Sequence, residues 1–421
     1  MSRAERRVAI TGVGAVTPVG NDAAATWSAL AAGRSGVGPI TTFDASSFPV
    51  RIAGMVRNFD PEVRIRDFGP RYCLSRQGAF GVAAAEEAVA DAGIGANHYS
   101  PRERGVSVGA TAGRPSLEEL AEIFYRFREP LPLYRQPPEH MLERDQNVPA
   151  AAIAKSAGCA GPMLGVSTAC TASGHAIGEA YRRIQEGDAR MMIAGGYDSL
   201  ISWLDVLGFS LLGALTTAHS DQPTRASRPF SGDRSGFVLG EGAAMFVLED
   251  LDGARERGAK IHAELVGYAA TMNAYRMTDP PPDGGGVTLA MAQALRDAGI
   301  SGDQIGYIAA HGTSTPGNDL CETLAIKDVF GSHAPDIAIS SVKSMVGHLT
   351  AAAAGVGLLG ALGVLREGLA PPTINLERPE PKLDLDYVPI TAKAVDTEFA
   401  MVNAFAFGGT NACLIVRKVH A

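Results

Sequence analysis

One cysteine and two histidines in this 421-residue chain stand where nucleophilic acyl chemistry would need them. Cys170 lies within Gly165-Val166-Ser167-Thr168-Ala169-Cys170-Thr171-Ala172-Ser173-Gly174. An apolar run over 162–166 reads as a strand end, small residues turn the backbone, and 175–184 carries helical periodicity through Ile177, Ala180, Tyr181 and Ile184. Cys170 is therefore expected at the mouth of a helix, where unpaired backbone N–H groups and the positive dipole end favour a thiolate. A thiol so placed can have a lowered pKa and act as a nucleophile. The plain alternative is a buried, inert cysteine. Two later strands weigh against that alternative. Residues 305–310 are apolar and deliver His311-Gly312-Thr313-Ser314-Thr315-Pro316, while 338–341 deliver Val342-Lys343-Ser344-Met345-Val346-Gly347-His348. Each ends an apolar strand in a polar, glycine-containing turn, the place where open α/β sheets gather their ligands. One thiol and two imidazoles at three strand ends predict an acyl-transfer site.

Those strand ends need a scaffold, and the composition suits one. The length suggests two or three domains or a single large α/β unit. The 49 glycines are dispersed among apolar runs, which fits many tight strand–helix turns rather than disorder. Five cysteines (Cys73, Cys159, Cys170, Cys321, Cys413) are an odd number without paired spacing. This argues against a disulfide framework or a metal site and for a reducing compartment, so a cytoplasmic location is expected. The charged N-terminus leads straight into a strand, with no signal peptide in view. The longest apolar stretch, 351–365, is short for a bilayer and reads as a buried core helix, so no membrane association is expected. A net charge of -8 argues against general nucleic-acid affinity.

In chain order, 7–19 is a strand running into a glycine turn. Gly12-x-Gly14 invites a dinucleotide reading, but Thr17 stands at the third glycine and Pro18 follows where a helix should be under way. A core strand needing close backbone approach is the better reading. A capped helix over 21–32 follows, then an amphipathic helix over 75–92 ended by Gly93, and a buried strand at 104–109. The proline-rich excursion 114–148 reads as a lid, cap or interface. Strands at 190–196 and 242–249 close the first half, and a charged helix at 251–260 marks the seam between 1–254 and 255–421. The second half repeats the element order: strand 262–269, helix 287–298, strand to His311, helix 320–330, strand to Lys343, helix 348–365, then strands 399–402 and 412–416. Two copies of one β/α unit predict an internally duplicated, layered α/β fold.

Four motifs then make a specific pattern: ACTAS around Cys170, HGTSTP at His311, KSMVGH over 343–348 and FGGTN at Phe407. In this order and spacing they resemble the β-ketoacyl-acyl-carrier-protein synthases of the condensing-enzyme superfamily, of the synthase II and type II polyketide kind. Arg228-Pro229-Phe230, GFVLGEGAAM over 236–245 and PPTINL over 371–376 extend the resemblance from about Arg7 to Val416. It implies a thiolase-like fold of five layers, α-β-α-β-α, in which helices alternate with two mixed sheets. It also implies a homodimer, with a heterodimer containing a chain-length-factor-like subunit as the alternative.

The resemblance further implies a ping-pong, decarboxylative Claisen condensation in fatty-acid or polyketide/polyene biosynthesis. Cys170 would take the acyl group from a carrier-protein thioester, with the N–H groups of Cys170 and Phe407 as oxyanion hole. His311 and His348 would stabilise the malonyl-derived enolate. Lys343, paired with Glu322, would hold the electrostatics of the site. Thr313 and Thr315 would bind the pantetheine amides, with Phe407 as a gate and Gly408 as part of the substrate loop. No cofactor is expected to be bound; substrates arrive on the phosphopantetheine of acyl carrier protein. The basic cluster Arg64, Arg66, Arg71 and Arg76 is the expected dock for that acidic carrier. Asp319, His175, His219 and His262 are expected to be structural. The chain departs from the pattern at Ala406 (usually glycine), at Gly213 (often arginine) and in 114–146, and small residues at Thr111 and Ala112 suggest a deep acyl pocket. Competing readings are a non-catalytic chain-length partner, a degradative thiolase and a dehydrogenase. Cys170 with both histidines opposes the first, the absence of a second cysteine in the glycine loop opposes the second, and the broken glycine pattern opposes the third.

Overall fold

The computed structural model describes residues 6–65, 74–95, 97–126, 142 and 144–420. Ten strands carry the fold: β1 (Val8–Val16), β2 (Arg104–Gly109), β3 (Met163–Val166), β4 (Met191–Ser199), β5 (Glu241–Asp250), β6 (Ala263–Met272), β7 (Ile305–Ala309), β8 (Ala338–Ser340), β9 (Phe399–Phe405) and β10 (Thr410–Arg417). Their spatial order is β8-β7-β9-β10-β6-β1-β5-β4-β2-β3. The duplication expected from the element order is explicit here. The first half runs β3-β2-β4-β5-β1 and the second β8-β7-β9-β10-β6, each strand matching the one five places later. The hydrogen-bonding senses agree too: the first two pairings in each half are parallel and the last two antiparallel. The halves are not separate sheets. Val8, Ala9 and Ile10 of β1 pair with Leu265, Glu264 and Ala263 of β6, joining them about the local axis of the repeat.

Helices complete five layers. Helix α1 (Arg76–Ala92) covers β1 and β5 on one outer face, while α4 (Gly285–Ala298), backed by α5 (Pro316–Phe330), covers β6 and β10 on the other. Between the two half-sheets lie α2 (Ala172–Gln185) and α6 (Ala353–Glu367), which touch strands of both halves. Such a position allows no polar face, and the sequence of α6 provides none: all residues from Ala353 to Leu365 are buried. The span Thr350–Glu367 is apolar and long enough to cross a membrane by length and composition, and 89% of it is buried inside the fold.

Local chemistry sets the helix ends. Ser75 caps α1 by accepting the N–H of Gly78, and Gly93 closes it with φ of 63°. Gly12 and Gly14 face that helix, where an added Cβ would lie 2.0 Å from the carbonyl oxygens of Ala88 and Ala84. These glycines exist for close strand–helix approach, and a helix occupies the space a dinucleotide would need. One helix that the sequence pattern does not announce is α3 (Trp203–Leu211), because its apolar residues are spread around the helix rather than gathered on one face. It reaches the functional cavity through Phe209.

The consequence for the site is positional. Strands β3, β7, β8 and β9 all end, at their C-termini, in the segments that carry Cys170, His311, Lys343–His348 and Phe407.

Candidate active site

Between β3 and α2 the chain makes a single tight turn, Ala169–Thr171, that holds Cys170 immediately ahead of the helix. Ala169 takes φ of 50°, a left-handed conformation that a non-glycine residue adopts only when its surroundings enforce it. The enforcing contacts are present. Thr171 donates both its N–H and its hydroxyl to the Thr168 carbonyl, and its Oγ1 lies 2.9 Å from Thr410 Oγ1 on the glycine loop. His175 lies one turn further on, with Nδ1 2.8 Å from Thr168 Oγ1 and Nε2 3.2 Å from the Asn411 carbonyl. It ties the nucleophile turn to β10, in keeping with a structural part.

Cys170, His311, His348, Thr313, Thr315 and Phe407 line one cavity of about 240 Å³. The two imidazoles are buried, 5.4 Å apart between ring centroids and nearly perpendicular at 82°. Burial, reinforced by the charge of Lys343, holds both well below the usual histidine pKa, so both are neutral at physiological pH. His348 Nδ1 accepts the N–H of Thr350 at 3.2 Å, which leaves its proton on Nε2. His311 Nδ1 makes no hydrogen bond among the described residues.

Lys343 and Glu322 do not meet as the expected ion pair. Glu322 instead accepts the backbone N–H groups of His311 and Gly312, each at 2.8 Å, and the side-chain amide of Asn403 at 3.1 Å. Lys343 Nζ donates to the His311 carbonyl. The His311 backbone thus lies between cation and anion, clamped from both ends. Burial lowers the Lys343 ammonium to about 8, against the opposing charges of Glu322, Cys170 and Asp319, and raises the Glu322 carboxyl. Lys343 acts on both imidazoles through its charge, and both groups hold the backbone of His311.

Comparison with known proteins shows the family of the chain. The family described as "Beta-ketoacyl synthase, N-terminal domain" matches residues 5–254, and "Beta-ketoacyl synthase, C-terminal domain" matches 262–377. The chain is 42% identical over 414 residues to 3-oxoacyl-[acyl-carrier-protein] synthase 2 of Synechocystis sp., covering 98% of each chain. It is 41% identical to the protein of that name in Vibrio harveyi, covering 99% of each. The chain belongs to the beta-ketoacyl synthase family. Among solved structures, the ishigamide ketosynthase/chain length factor superposes with a TM-score of 0.89 at 34% identity, covering 99% of this chain and 100% of that one. A type II polyketide acyl-carrier protein in complex with its ketosynthase, bound to the hexaketide, gives 0.88 at 32% with the same coverage. As a beta-ketoacyl synthase the chain is a condensing enzyme, an acyltransferase that joins acyl units by Claisen condensation.

For a beta-ketoacyl synthase the state of the thiol matters most, and here the sequence expectation is corrected. Cys170 is only partly buried and lines the cavity, yet desolvation by the groups packed around it pushes the thiol up to about 12 rather than down. Lys343 and the backbone N–H groups of Phe407 and Cys170 favour the thiolate, and Asp198 opposes it. Desolvation outweighs the helix terminus. Below its pKa a thiol's ionised fraction rises tenfold per pH unit, so alkylation of Cys170 by iodoacetamide should climb by about that factor between pH 7 and 8. Above pH 8 the climb should slacken as Lys343 loses its proton. A rate already level by pH 7 would refute the raised thiol pKa.

The two N–H groups that act on the sulfur are the pair expected to form the oxyanion hole. Past Phe407 the chain needs Gly408 and Gly409 at φ of 85° and 79°, and Gly408 donates to the Met277 carbonyl at 2.7 Å. Ala406 lines the cavity and its N–H bonds Thr410 O at 2.9 Å, while Gly213 lines the cavity at φ of 65°. Thr313 and Thr315 lie in the cavity wall with their hydroxyls 2.8 Å apart. Asp319, buried, accepts the N–H of Phe230.

Of the basic cluster expected to dock the carrier, the two described members are engaged within the fold. Arg76 grips buried Glu241 with two nitrogens and also bonds the Val56 carbonyl, whereas Arg64 bonds the Asn21 carbonyl. Arg66 and Arg71 lie outside the described residues. Thr111 does not line the cavity described above; its hydroxyl donates to Asp198 at 2.6 Å. Asp198 is the residue the sequence reading missed. Fully buried at the end of β4, it also accepts from Thr350 Oγ1 and from Ala351 N at 2.9 Å, and so holds the residue that orients His348. A carboxylate closing an apolar strand was the available signal. Among the described residues no group of three or more His, Cys, Asp or Glu is placed to hold a metal ion.

Proposed function

We propose that Cys170, His311 and His348 carry a decarboxylative Claisen condensation on carrier-bound substrates. The supporting observation is that one cavity is lined by a thiol and two neutral imidazoles, one of them with its proton held on Nε2. The Cys170 sulfur attacks an acyl-carrier thioester, the pantetheine thiol leaves, and the Cys170 and Phe407 N–H groups hold the tetrahedral oxyanion. Malonyl-carrier protein then loses carbon dioxide, and its C–C bonding electrons form an enolate whose oxygen accepts hydrogen bonds from His311 and His348. The enolate carbon attacks the Cys170 thioester, the sulfur departs, and a 3-oxoacyl chain two carbons longer remains on the carrier. Thr313 and Thr315 bind the pantetheine, Phe407 with Gly408 gates it, and Lys343 and Glu322 fix the His311 backbone.

The proposed partner is an acyl carrier protein whose phosphopantetheine enters past Leu212 and Met277, exposed apolar residues on the cavity wall. No resident cofactor is needed for these steps, and the four described cysteines are free, which supports work in the reducing cytoplasm. Strand β3 is the outer edge of the sheet, with Met163 49% exposed at its start, in the strand that leads to the nucleophile turn. That edge suits pairing with a second copy. A chain-length-factor-like subunit is the alternative occupant, since one similar structure is a ketosynthase/chain length factor.

The test is to incubate the purified protein with a panel of acyl-carrier proteins and then with malonyl-carrier protein, following both by intact mass. Adducts on Cys170 and 3-oxoacyl products two carbons longer are expected from the protein alone. The acyl groups that load distinguish fatty-acid from polyketide elongation. Loading without elongation until another subunit is added would favour the heterodimer.

A further inference from the structure

We propose that a second hollow, floored by Arg228, binds a phosphate-class oxyanion. Its volume is about 270 Å³ and its lining shares no residue with the catalytic cavity. Three guanidinium groups face it, Arg225, Arg228 and Arg378, against two carboxylates, Asp233 and Glu377, with His219, Gln222 and Ser231 completing the wall. Both carboxylates are already engaged. Glu377 is held through both oxygens by Arg225 at 2.8 Å, and Asp233 takes Arg228 Nη1 and the Ser231 hydroxyl.

What remains is positive and unmet. Arg228 is 3% exposed, and its Nη2 makes no hydrogen bond among the described residues. Arg378, exposed at the rim, has no ion-pair partner among them. A buried guanidinium donor left unpaired is costly, and Nη2, which has no exposed surface of its own, would gain an acceptor if the Arg228 fork turned towards the hollow that the residue lines. The planar fork of arginine matches the spaced oxygens of a phosphate, and two such forks with one excess positive charge select an anion over a neutral ligand. The hollow is larger than a phosphate ion and half open, which admits either free phosphate or the terminal phosphate of a larger ester.

The site has a path to the catalytic cavity. Ser231 and Asp233 belong to the same loop as Ser235, Gly236 and Phe237, which line that cavity. Arg228 N and Gly236 N both bond Ser314, at 3.1 Å each, between Thr313 and Thr315 of the cavity wall. Anion occupancy would therefore brace the loop that shapes the substrate channel. The inference does not depend on the condensing reaction.

Isothermal titration of the full chain at constant ionic strength, with inorganic phosphate and separately with phenyl phosphate, tests it. Arg378→Ala is the variant of choice, because Arg378 is exposed and holds no ion pair, so the fold should survive. Saturable binding by the native chain, weakened about tenfold or more in the variant, is the expected result. Tighter binding of phenyl phosphate would identify an ester as the natural ligand, and equal or weaker binding would identify the free ion. Absence of binding with both ligands, or equal binding by the variant, overturns the proposal.

Discussion

A Cys170→Ala protein should fold normally, take up no acyl group from any acyl-carrier protein, and lose condensation by at least ~10⁴-fold in kcat/KM. The fold should survive because the residue is only partly buried and the turn around it is held by Thr168, Thr171 and Thr410 rather than by the sulfur. The loss should be near complete because no other thiol among the described residues lines the cavity. Cys321 and Cys413 are buried away from the cavity, and burial pushes Cys321 up to about 12 and Cys413 well above the usual thiol range. Cys159, ahead of β3, is raised to about 11 and is not among the residues that line the cavity. Cys170→Ser keeps the volume and replaces the nucleophile with a hydroxyl that ionises far less readily, so it too should fail. An acyl adduct on the Cys170→Ala protein, or carbon–carbon bond formation at the native rate by Cys170→Ser, would sink the assignment.

What could be read before any coordinates were in hand was local. Strand ends, glycine turns and caps leave a mark within a few residues, so β3, β7 and β8 could be seen delivering Cys170, His311 and Lys343 to one end of a sheet. The repeat was legible as an order of elements; that β1 and β6 pair and fuse the halves was not, since nothing in either strand names its partner. Partners far apart in sequence were where the reading failed. Arg76 counted as part of a surface cluster because its neighbours are basic, yet its partner Glu241 lies 165 positions away. Lys343 and Glu322 were rightly brought to the same place and wrongly joined, because the His311 peptide between them is invisible in a motif. The thiol pKa failed for the same kind of reason. A helix mouth is a local feature with a local sign, while desolvation is the sum of everything packed around the sulfur.

Asp198 shows how far this collective effect extends. A buried carboxylate near a desolvated thiol makes the thiolate harder to form, yet the same carboxylate anchors Thr350, and Thr350 fixes the tautomer of His348. The site accepts a less reactive resting thiol in exchange for an imidazole whose donor is permanently oriented. That exchange suits a two-step reaction in which loading and decarboxylation place different demands on one cavity.

The division of labour predicts that the two steps can be separated. His311→Ala and His348→Ala should each slow decarboxylation of malonyl-carrier protein by about 10²–10³-fold, the usual cost of one lost oxyanion donor in an enclosed site. Acyl loading of Cys170 should change only a few-fold, because the donors acting on that sulfur are the backbone groups of Cys170 and Phe407. The pH dependence carries an independent check. A neutral imidazole gives the enolate oxygen one N–H donor, and protonation at its own pKa changes the charge of that donor and so would mark the rate profile; both rings here lie well below 6.5. Decarboxylation by the native protein should therefore stay level from about pH 8 down to about pH 6, with no acid limb centred near the ordinary histidine value. Loss of the Lys343 charge above about 8 would let both pKa values rise, but towards 6.5 and still below the ambient pH, so the rings stay neutral. Loading lost in step with decarboxylation, or a titration centred at 6.5, would show that the imidazoles act on the thiol as bases and that the enolate is held by some other group.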